Sequence, residues 1–158
     1  MNRVATIALI ALAACFGLAA CGGSDDKSSD DGGLSRTELA SKADAICKTG
    51  ETDAEAVKAP ANFDDANAAA AYFGKIVPLH QKQTDALAAL KPDDEAKVDW
   101  NAFIATQNAN QALLDTILAK AKAKDPSGKD DLAQFTTKSQ AFAAAARKIG
   151  SEECAGTA

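Results

Sequence analysis

The sequence predicts an all-α protein whose folded part is a four-helix up-down-up-down bundle. Strong helix formers, above all alanine, leucine, lysine, glutamate and glutamine, dominate the 158-residue chain, and aromatic residues make up only 5% of it. After the first 20 residues valine occurs only at positions 57, 77 and 98, so no segment has the β-branched density of a strand. Apolar residues recur instead at every third or fourth position, which is typical of amphipathic helices.

The first 20 residues have the organisation of a lipoprotein signal peptide. Met1-Asn2-Arg3 supplies a short positive segment, and the apolar run at residues 4–14 is too short to span a bilayer. Leu18-Ala19-Ala20-Cys21 then matches a lipobox, which predicts that residues 1–20 are removed and that Cys21 carries the lipid. We therefore expect attachment to the cell membrane through this N-terminal lipid, on the extracytoplasmic face, because two acyl chains suffice for stable anchoring.

Two alternatives compete with lipidation at Cys21. Leu12-Ala13-Ala14-Cys15 repeats the lipobox letters, but lipidation there would leave a very short leader with a bulky phenylalanine directly after the lipid. Gly17-Leu18-Ala19 has small residues at the spacing of an ordinary secretory signal peptide. The residue after Cys21 is glycine and not aspartate, the usual signal for inner-membrane retention, so the outer membrane is an alternative location in a host that has one.

Residues 21–33 are predicted to be a lipidated, disordered tether, and residues 34–158 the helical domain. After Cys21 the tether contains only glycine, serine, aspartate and lysine, so it has no apolar side chain to bury. Asp25-Asp26 and Asp30-Asp31 lack the alternating spacing of a calcium loop. We therefore interpret these charges as a solvated spacer and predict no metal site.

Helices 1 and 2 have recognisable ends. Ser35 and Glu38 have the spacing of a capping box, with leucines on either side as a hydrophobic staple, so helix 1 begins here. Helix 2 is expected to start near Asn62 or Asp64 and to end before Lys91-Pro92. Pro78 lies inside it, and we predict a kink in one helix and not two separate elements.

Helices 3 and 4 are separated by a clear turn. Helix 3 is expected to start at the acidic cluster that opens with Asp93 and to run to about Lys124, with acids at its start and lysines at its end, as the helix dipole favours. Asp125-Pro126-Ser127-Gly128 is a good turn sequence. Helix 4 follows, and Gly150 stands where a helix C-terminal cap is expected.

Two cysteines remain once the leader is removed and Cys21 is lipidated. Cys47 and Cys154 form an even pair outside the cytosol, which predicts a structural disulfide. The alternative is a redox-active or metal-binding pair, but such thiols usually lie close in sequence as C-x-x-C. In the bundle helix 4 ends near the start of helix 1, so a chain that turns back after Gly150 and extends through Ser151 brings the two cysteines together.

At these residues the chain resembles a family. Ala43-Asp44-Ala45-Ile46-Cys47 in the first mature helix, a second cysteine near the C-terminus and an alanine-rich lipoprotein leader are similar to the small helical lipoproteins of high-GC Gram-positive bacteria. The similarity covers the two ends of the chain and not helices 2 and 3. It implies an envelope location and a disulfide, and it implies no activity, because members of that family are mostly uncharacterised.

The sequence offers little for catalysis, cofactor binding or nucleic acid. His80 is the only histidine, and the chain contains no G-x-S-x-G, G-x-G-x-x-G or Walker-type motif. It also lacks the C-x-x-C-H of haem attachment and the Glu-x-x-His pairs of di-iron bundles. The formal net charge is −5 and basic residues are scattered among acids, so no basic face is predicted for nucleic acid. We expect no enzyme and no cofactor.

One polar feature is left inside the predicted bundle. Polar residues fall at or beside inward positions near the middle of helices 2, 3 and 4, where they can form one layer across the bundle. Such a layer either hydrogen-bonds to itself or surrounds water or a small ligand. The members of this candidate layer are His80, Thr84, Gln107, Gln111 and Ser139.

The functional expectation has two forms. The first is a lipid-anchored, non-enzymatic cell-envelope lipoprotein whose helical domain interacts with another envelope component. The alternative is an extracytoplasmic small-molecule binding module that uses the polar layer.

Overall fold

A computed structural model describes residues 32–156, and within that range it is all-helical. The predicted fold class is confirmed. The leader, Cys21 and the tether up to residue 31 lie outside the described residues. No described helix is both long and apolar enough to cross a membrane. The helices are α1 (Arg36–Glu55), α2 (Ala66–Ala88), α3 (Lys97–Ala123), α4 (Gly128–Ile149) and α5 (Glu152–Ala155).

The four long helices form a ring in which consecutive helices are neighbours. α2 packs against α1 and α3, α3 packs against α4, and α4 closes the ring with a small contact to α1. The short helix α5 lies against both α1 and α4. The start of α1, the α2–α3 loop and the end of α4 therefore share one end of the bundle.

α1 begins as the sequence predicts, with Ser35 and Glu38 in a reciprocal capping box. The preceding backbone is also part of the fold. The Leu34 N–H donates to the carbonyl of Lys91 at 2.6 Å, and the Leu34 carbonyl accepts from the Asp93 N–H at 2.9 Å. These two hydrogen bonds fix the point where the chain enters the bundle beside the α2–α3 loop.

Two helices begin later than the sequence predicts, and an aspartate side chain binds backbone N–H groups in front of each. α2 starts at Ala66 because the Asp65 carboxylate accepts from the N–H groups of Asn67 at 2.8 Å and Ala68 at 3.4 Å. α3 begins at Lys97, and the acidic cluster forms the turn that leads into it: the Asp93 carboxylate accepts from the Ala96 N–H at 2.8 Å and the Asp93 carbonyl from the Lys97 N–H at 3.1 Å. α2 continues through Pro78 as one helix, as predicted.

The C-terminal segment differs from the extended path that the sequence predicts. After Gly150, which caps α4 in the left-handed region at φ 84°, the chain forms α5. The Asp44 carboxylate of α1 accepts from the Ser151 hydroxyl at 2.6 Å and from the Glu153 N–H at 3.0 Å. Asp44 thus caps α5 from a neighbouring helix. Cys154 then lies against Cys47, with their sulfurs 2.01 Å apart and their Cα atoms 5.1 Å apart, so the predicted pair is at disulfide distance.

The apolar core has two parts. The first cluster lies at the end where the chain enters and includes Trp100 and Phe103, which are 2% and 0% exposed. The second cluster lies towards the opposite end and is centred on Phe73 and Leu114. Polar residues of α2 and α3 lie between the two clusters, at the level that the sequence analysis assigns to the polar layer.

Candidate functional site

The predicted polar layer lies between the two apolar clusters, on facing surfaces of α2 and α3. His80 and Thr84 occupy α2 between Val77 of the second cluster and Leu87 of the first. Gln107 occupies the corresponding position on α3, with Gln111 one turn further on. Because helix positions three and four apart share a face, these side chains point towards one another across the helix pair.

Four of the five predicted residues form one hydrogen-bonded network. His80 Nδ1 lies 2.7 Å from Gln111 Oε1, and Gln107 Nε2 donates to Thr84 Oγ1 at 3.0 Å. The Thr84 hydroxyl in turn donates to the His80 carbonyl at 2.9 Å. The layer therefore satisfies most of its own polar groups, as buried polar side chains require.

The hydrogen-bond pattern specifies a neutral His80. An amide oxygen only accepts, so the proton shared with Gln111 lies on Nδ1 of the imidazole. Nε2 then faces the Gln107 amide nitrogen, a donor, at 3.4 Å. Burial lowers the pKa of His80, while the Gln111 hydrogen bond and the nearby Asp115 carboxylate act in the opposite direction.

Ser139 is not part of the network. It is half-buried on α4, and none of the hydrogen bonds of the layer includes its hydroxyl. The prediction that Ser139 belongs to the hydrogen-bonded layer is therefore not met by this geometry. The layer joins α2 to α3 and does not cross the bundle to α4.

Two residues that the sequence analysis missed extend the site. Asn110 is 2% exposed, and its side-chain oxygen has no hydrogen-bond partner among the described residues. Asp115 accepts from Gln111 Nε2 at 3.1 Å and connects the layer to the exposed surface. The signal for Asn110 was present, because positions 107, 110, 111 and 114 follow one helical face.

The layer does not have the arrangement of a nucleophile and its base. The Thr84 hydroxyl is engaged with a backbone carbonyl and an amide, and His80 Nε2 faces Gln107 and not Thr84. No group of three or more metal-ligating side chains occurs among residues 32–156. Chemically, the layer consists of neutral hydrogen-bonding groups, and the imidazole of His80 is its one group that can take up a proton.

Three cavities of the described chain are lined by other residues. The first, about 170 Å³, lies at the end of the bundle where α2 begins, α3 ends and α4 begins. The second, about 310 Å³, is an open groove between α1 and α2 beside Ile46 and Leu79. The third, about 340 Å³, lies at the α2–α3 loop beside Trp100. Neither His80 nor Gln107 contacts any of the three.

Comparison of the chain with protein-family models, with curated proteins and with solved structures gave no match.

Proposed function

We propose that this chain is a lipid-anchored, non-enzymatic protein of the cell envelope whose helical bundle interacts with another envelope component. The observation that carries the proposal is the pairing of Cys47 with Cys154 in a chain that starts with an apolar leader and a lipobox. Disulfides form and persist in oxidising compartments outside the cytosol. The structural pair therefore supports the same location as the lipidation site at Cys21.

The point where the chain enters the bundle supports an anchoring role for the tether. Leu34 is fixed beside the α2–α3 loop, so the tether leaves from that end of the molecule. Thirteen residues, 21–33, span at most about 45 Å when fully extended. The bundle would thus stay close to the membrane surface, and the end with the 170 Å³ cavity would face away from it.

The geometry of the polar layer favours an interaction role over catalysis. Its hydroxyl, amide and imidazole groups are engaged with one another and are enclosed by apolar clusters on both sides. Catalytic groups need access to a reacting molecule and a partner that activates them. Interaction through the outer faces of the helices needs neither.

Membrane fractionation tests the anchor. We expect the wild-type protein, expressed in a host that processes lipoproteins, to be in the membrane fraction. Cys21→Ser should move it to the soluble or secreted fraction, whereas the matched variant Cys15→Ser should leave it in the membrane. A Cys21→Ser protein that stays in the membrane, or a wild-type protein that is soluble, would contradict the proposal.

Cross-linking in intact cells tests the interaction. A discrete adduct of defined mass is expected with the wild-type chain and not with Cys21→Ser, because the latter leaves the membrane surface. A wild-type protein that is correctly anchored but gives only its own monomer after cross-linking would contradict the interaction role and leave the anchor unaffected.

One observation favours the second candidate, a small-molecule binding module at the polar layer. The Asn110 oxygen is buried without a partner among the described residues, and a small polar ligand would supply one. Ligand retention measured on His80→Ala and Gln107→Leu separates the two functions. If both variants only lower the melting temperature and retain the same molecules as wild type, the binding module is excluded.

A further inference from the structure

We propose that the 170 Å³ cavity is a binding pocket for a small monocarboxylic acid with one aromatic ring or a branched aliphatic group of that size. The pocket lies between the first turn of α2, the last turns of α3 and the first turn of α4. It is separate from the polar layer. It lies at the end of the bundle opposite to Leu34.

The inner wall of the pocket is apolar. Phe73, Ile117 and Ala69 are 4%, 2% and 6% exposed and belong to the second core cluster. Phe63 and Leu132 pack against that cluster and complete the wall. An apolar cavity of about 150 Å³ is known to hold benzene, so a volume of 170 Å³ suits one six-membered ring.

The rim of the pocket is charged. Lys129 of α4 is paired with Asp64, so its charge is already balanced. Lys124 also lines the rim, and it forms no ion pair with a carboxylate of residues 32–156. The Lys124 side chain is exposed at the mouth of an apolar pocket, so its ammonium group can reach the charged end of a molecule with an apolar body and one negative charge.

The backbone of Lys124 gives an independent reason to assign it a role. Its φ is 57°, and among the described residues it is the only non-glycine with a positive φ. Glycine is the usual residue at such a helix end, because a side chain in the left-handed region costs free energy. Unfavourable backbone conformations of this kind concentrate at functional sites. Glycine at position 124 would give a more stable fold, so the presence of lysine there indicates a function for its ammonium group.

The remaining rim residues limit the charge of the ligand. Asp64 and Asp125 also line the pocket. The Ser127 N–H donates to the Asp125 carboxylate at 2.9 Å, and hydrogen bonds from Ser127 lower the pKa of Asp125, so this carboxylate is ionised. With Asp64 paired to Lys129, the charges that remain at the rim are those of Lys124 and Asp125, so the pocket offers one positive charge to a ligand and repels a second negative charge such as that of phosphate. A monocarboxylic acid is therefore the class that fits.

Titration of the mature chain tests the proposal, in lipid nanodiscs for the acylated protein and in buffer for Cys21→Ser, with phenylacetate and phenethylamine as probes of similar apolar body and opposite charge. Amide chemical shifts of Lys124 and Phe73 should change with phenylacetate, with a Kd of about 1 mM or lower for a ligand of this size. Phenethylamine should leave them unchanged. Absence of saturable phenylacetate binding, or equal binding of the amine, overturns the proposal.

Three variants assign the binding to this pocket. Lys124→Gly should weaken phenylacetate binding about three- to tenfold while raising thermal stability, because glycine suits the positive φ. Lys122→Ala removes the same charge two residues away, outside the pocket lining, and should bind like wild type. Ala121→Leu fills the pocket from its half-buried wall and should abolish binding with helicity retained. A folded Lys124→Gly or Ala121→Leu protein with wild-type affinity overturns the assignment.

Phenylacetate binding to this pocket depends neither on the lipid anchor nor on an envelope partner. Cys21→Ser changes location in the proposed function, but residues 32–156 and their pocket are the same in that variant. Phenylacetate affinity should therefore be equal in Cys21→Ser and wild type. A failure of the pocket and a failure of the anchor would appear in different experiments.

Discussion

At the scale of single residues, His80 makes the stability of the polar layer depend on pH. Its imidazole is half-buried and donates through Nδ1 to Gln111, and Nε2 faces the donor nitrogen of Gln107. A second proton on the imidazole, at Nε2, would place that N–H against the N–H of Gln107. The surrounding charge that opposes the effect is the Asp115 carboxylate, which also accepts a hydrogen bond from Gln111.

The sign of the pH effect follows from the lowered pKa of His80. The unfolded state binds the proton more readily than the folded state, so the free energy of unfolding should fall as the pH drops below about 6.5. Above that value the contribution is fully present. Urea unfolding at pH 7.5, 6.5 and 5.5 should give decreasing midpoints, and His80→Gln should remove this decrease. A wild-type midpoint that is constant or rises over this interval would contradict the account.

Two glycines give opposite predictions for the same substitution. A Cβ atom at Gly33 would lie 2.2 Å from the Pro92 carbonyl oxygen, whereas nothing lies within 4 Å of a Cβ at Gly74. Gly33→Ala should separate Leu34 from the α2–α3 loop and lower the free energy of unfolding by about 1–3 kcal/mol. Gly74→Ala, inside α2, should raise it by about 0.5–1 kcal/mol. Thermal or urea unfolding measures both, and equal shifts would refute the assignment of Gly33 to the fold.

Single residues also show what the sequence could and could not predict. The capping box of Ser35 and Glu38 was readable because its geometry is local. Gly33 was not recognised, because its requirement comes from the close approach of the α2–α3 loop at Pro92. Asn110 was overlooked although it shares the helical face of Gln107 and Gln111. Ser139 had the correct spacing for an inward position, but the layer closes between α2 and α3 and leaves its hydroxyl outside.

At the scale of elements, α5 is the part that sequence periodicity did not predict. Four residues are too few to show a helical period. The helix depends on tertiary contacts: Asp44 of α1 caps it, and Ser151 before it is fully buried. Asp44 also lies three residues before Cys47 in the motif that carries the family resemblance. The structure gives this aspartate a specific task, the placement of Cys154.

Substitution of Asp44 tests that task. Asp44→Ala removes the acceptor for two donors, one of which belongs to the fully buried Ser151, and should lower the free energy of unfolding by about 1–3 kcal/mol. Asp44→Asn keeps an oxygen acceptor and should cost less. Refolding from the reduced state, followed by thiol trapping, should form the Cys47–Cys154 bond more slowly in the alanine variant. Equal stability and equal rates in all three proteins would show that α5 forms without Asp44.

Helix ends were predicted less well than helix identity. All four long helices were anticipated, yet α2 and α3 begin two to four residues later than expected. The Asp65 carboxylate accepts from N–H groups in the first turn of α2, and the Asp93 carboxylate accepts from the Ala96 N–H in the turn before α3. Several acidic residues precede each helix, and the sequence alone does not determine which one turns its side chain onto the backbone.

At the scale of the whole molecule, the Cys47–Cys154 bond joins the first helix to the C-terminal segment. Cys47 and Cys154 are separated by 107 positions, so their bond closes nearly the whole helical domain. In the first core cluster both cysteines pack with Leu39 and Ile149. The bridge therefore joins α1 to the segment after α4, where the direct α1–α4 contact is small.

Removal of the bridge should destabilise the fold more than substitution of Gly33, His80 or Asp44. On the chain-entropy account, the Cys47→Ala/Cys154→Ala variant loses about 4–5 kcal/mol, a large fraction of the about 5–15 kcal/mol typical of a domain. Urea unfolding of wild type with and without reductant, beside the double variant, measures it. Reduced wild type should resemble the variant. A midpoint that reductant does not change would contradict a structural role for the bond.

The central claim is that the mature protein begins at a lipidated Cys21 and carries the Cys47–Cys154 disulfide outside the cytosol. The most direct test is the intact mass of the protein extracted from the membranes of its own host. The account predicts a mass for residues 21–158 that is raised by acyl chains on Cys21 and lowered by the hydrogens that one disulfide removes. An unacylated mass that starts at another residue, or two free thiols, would contradict it.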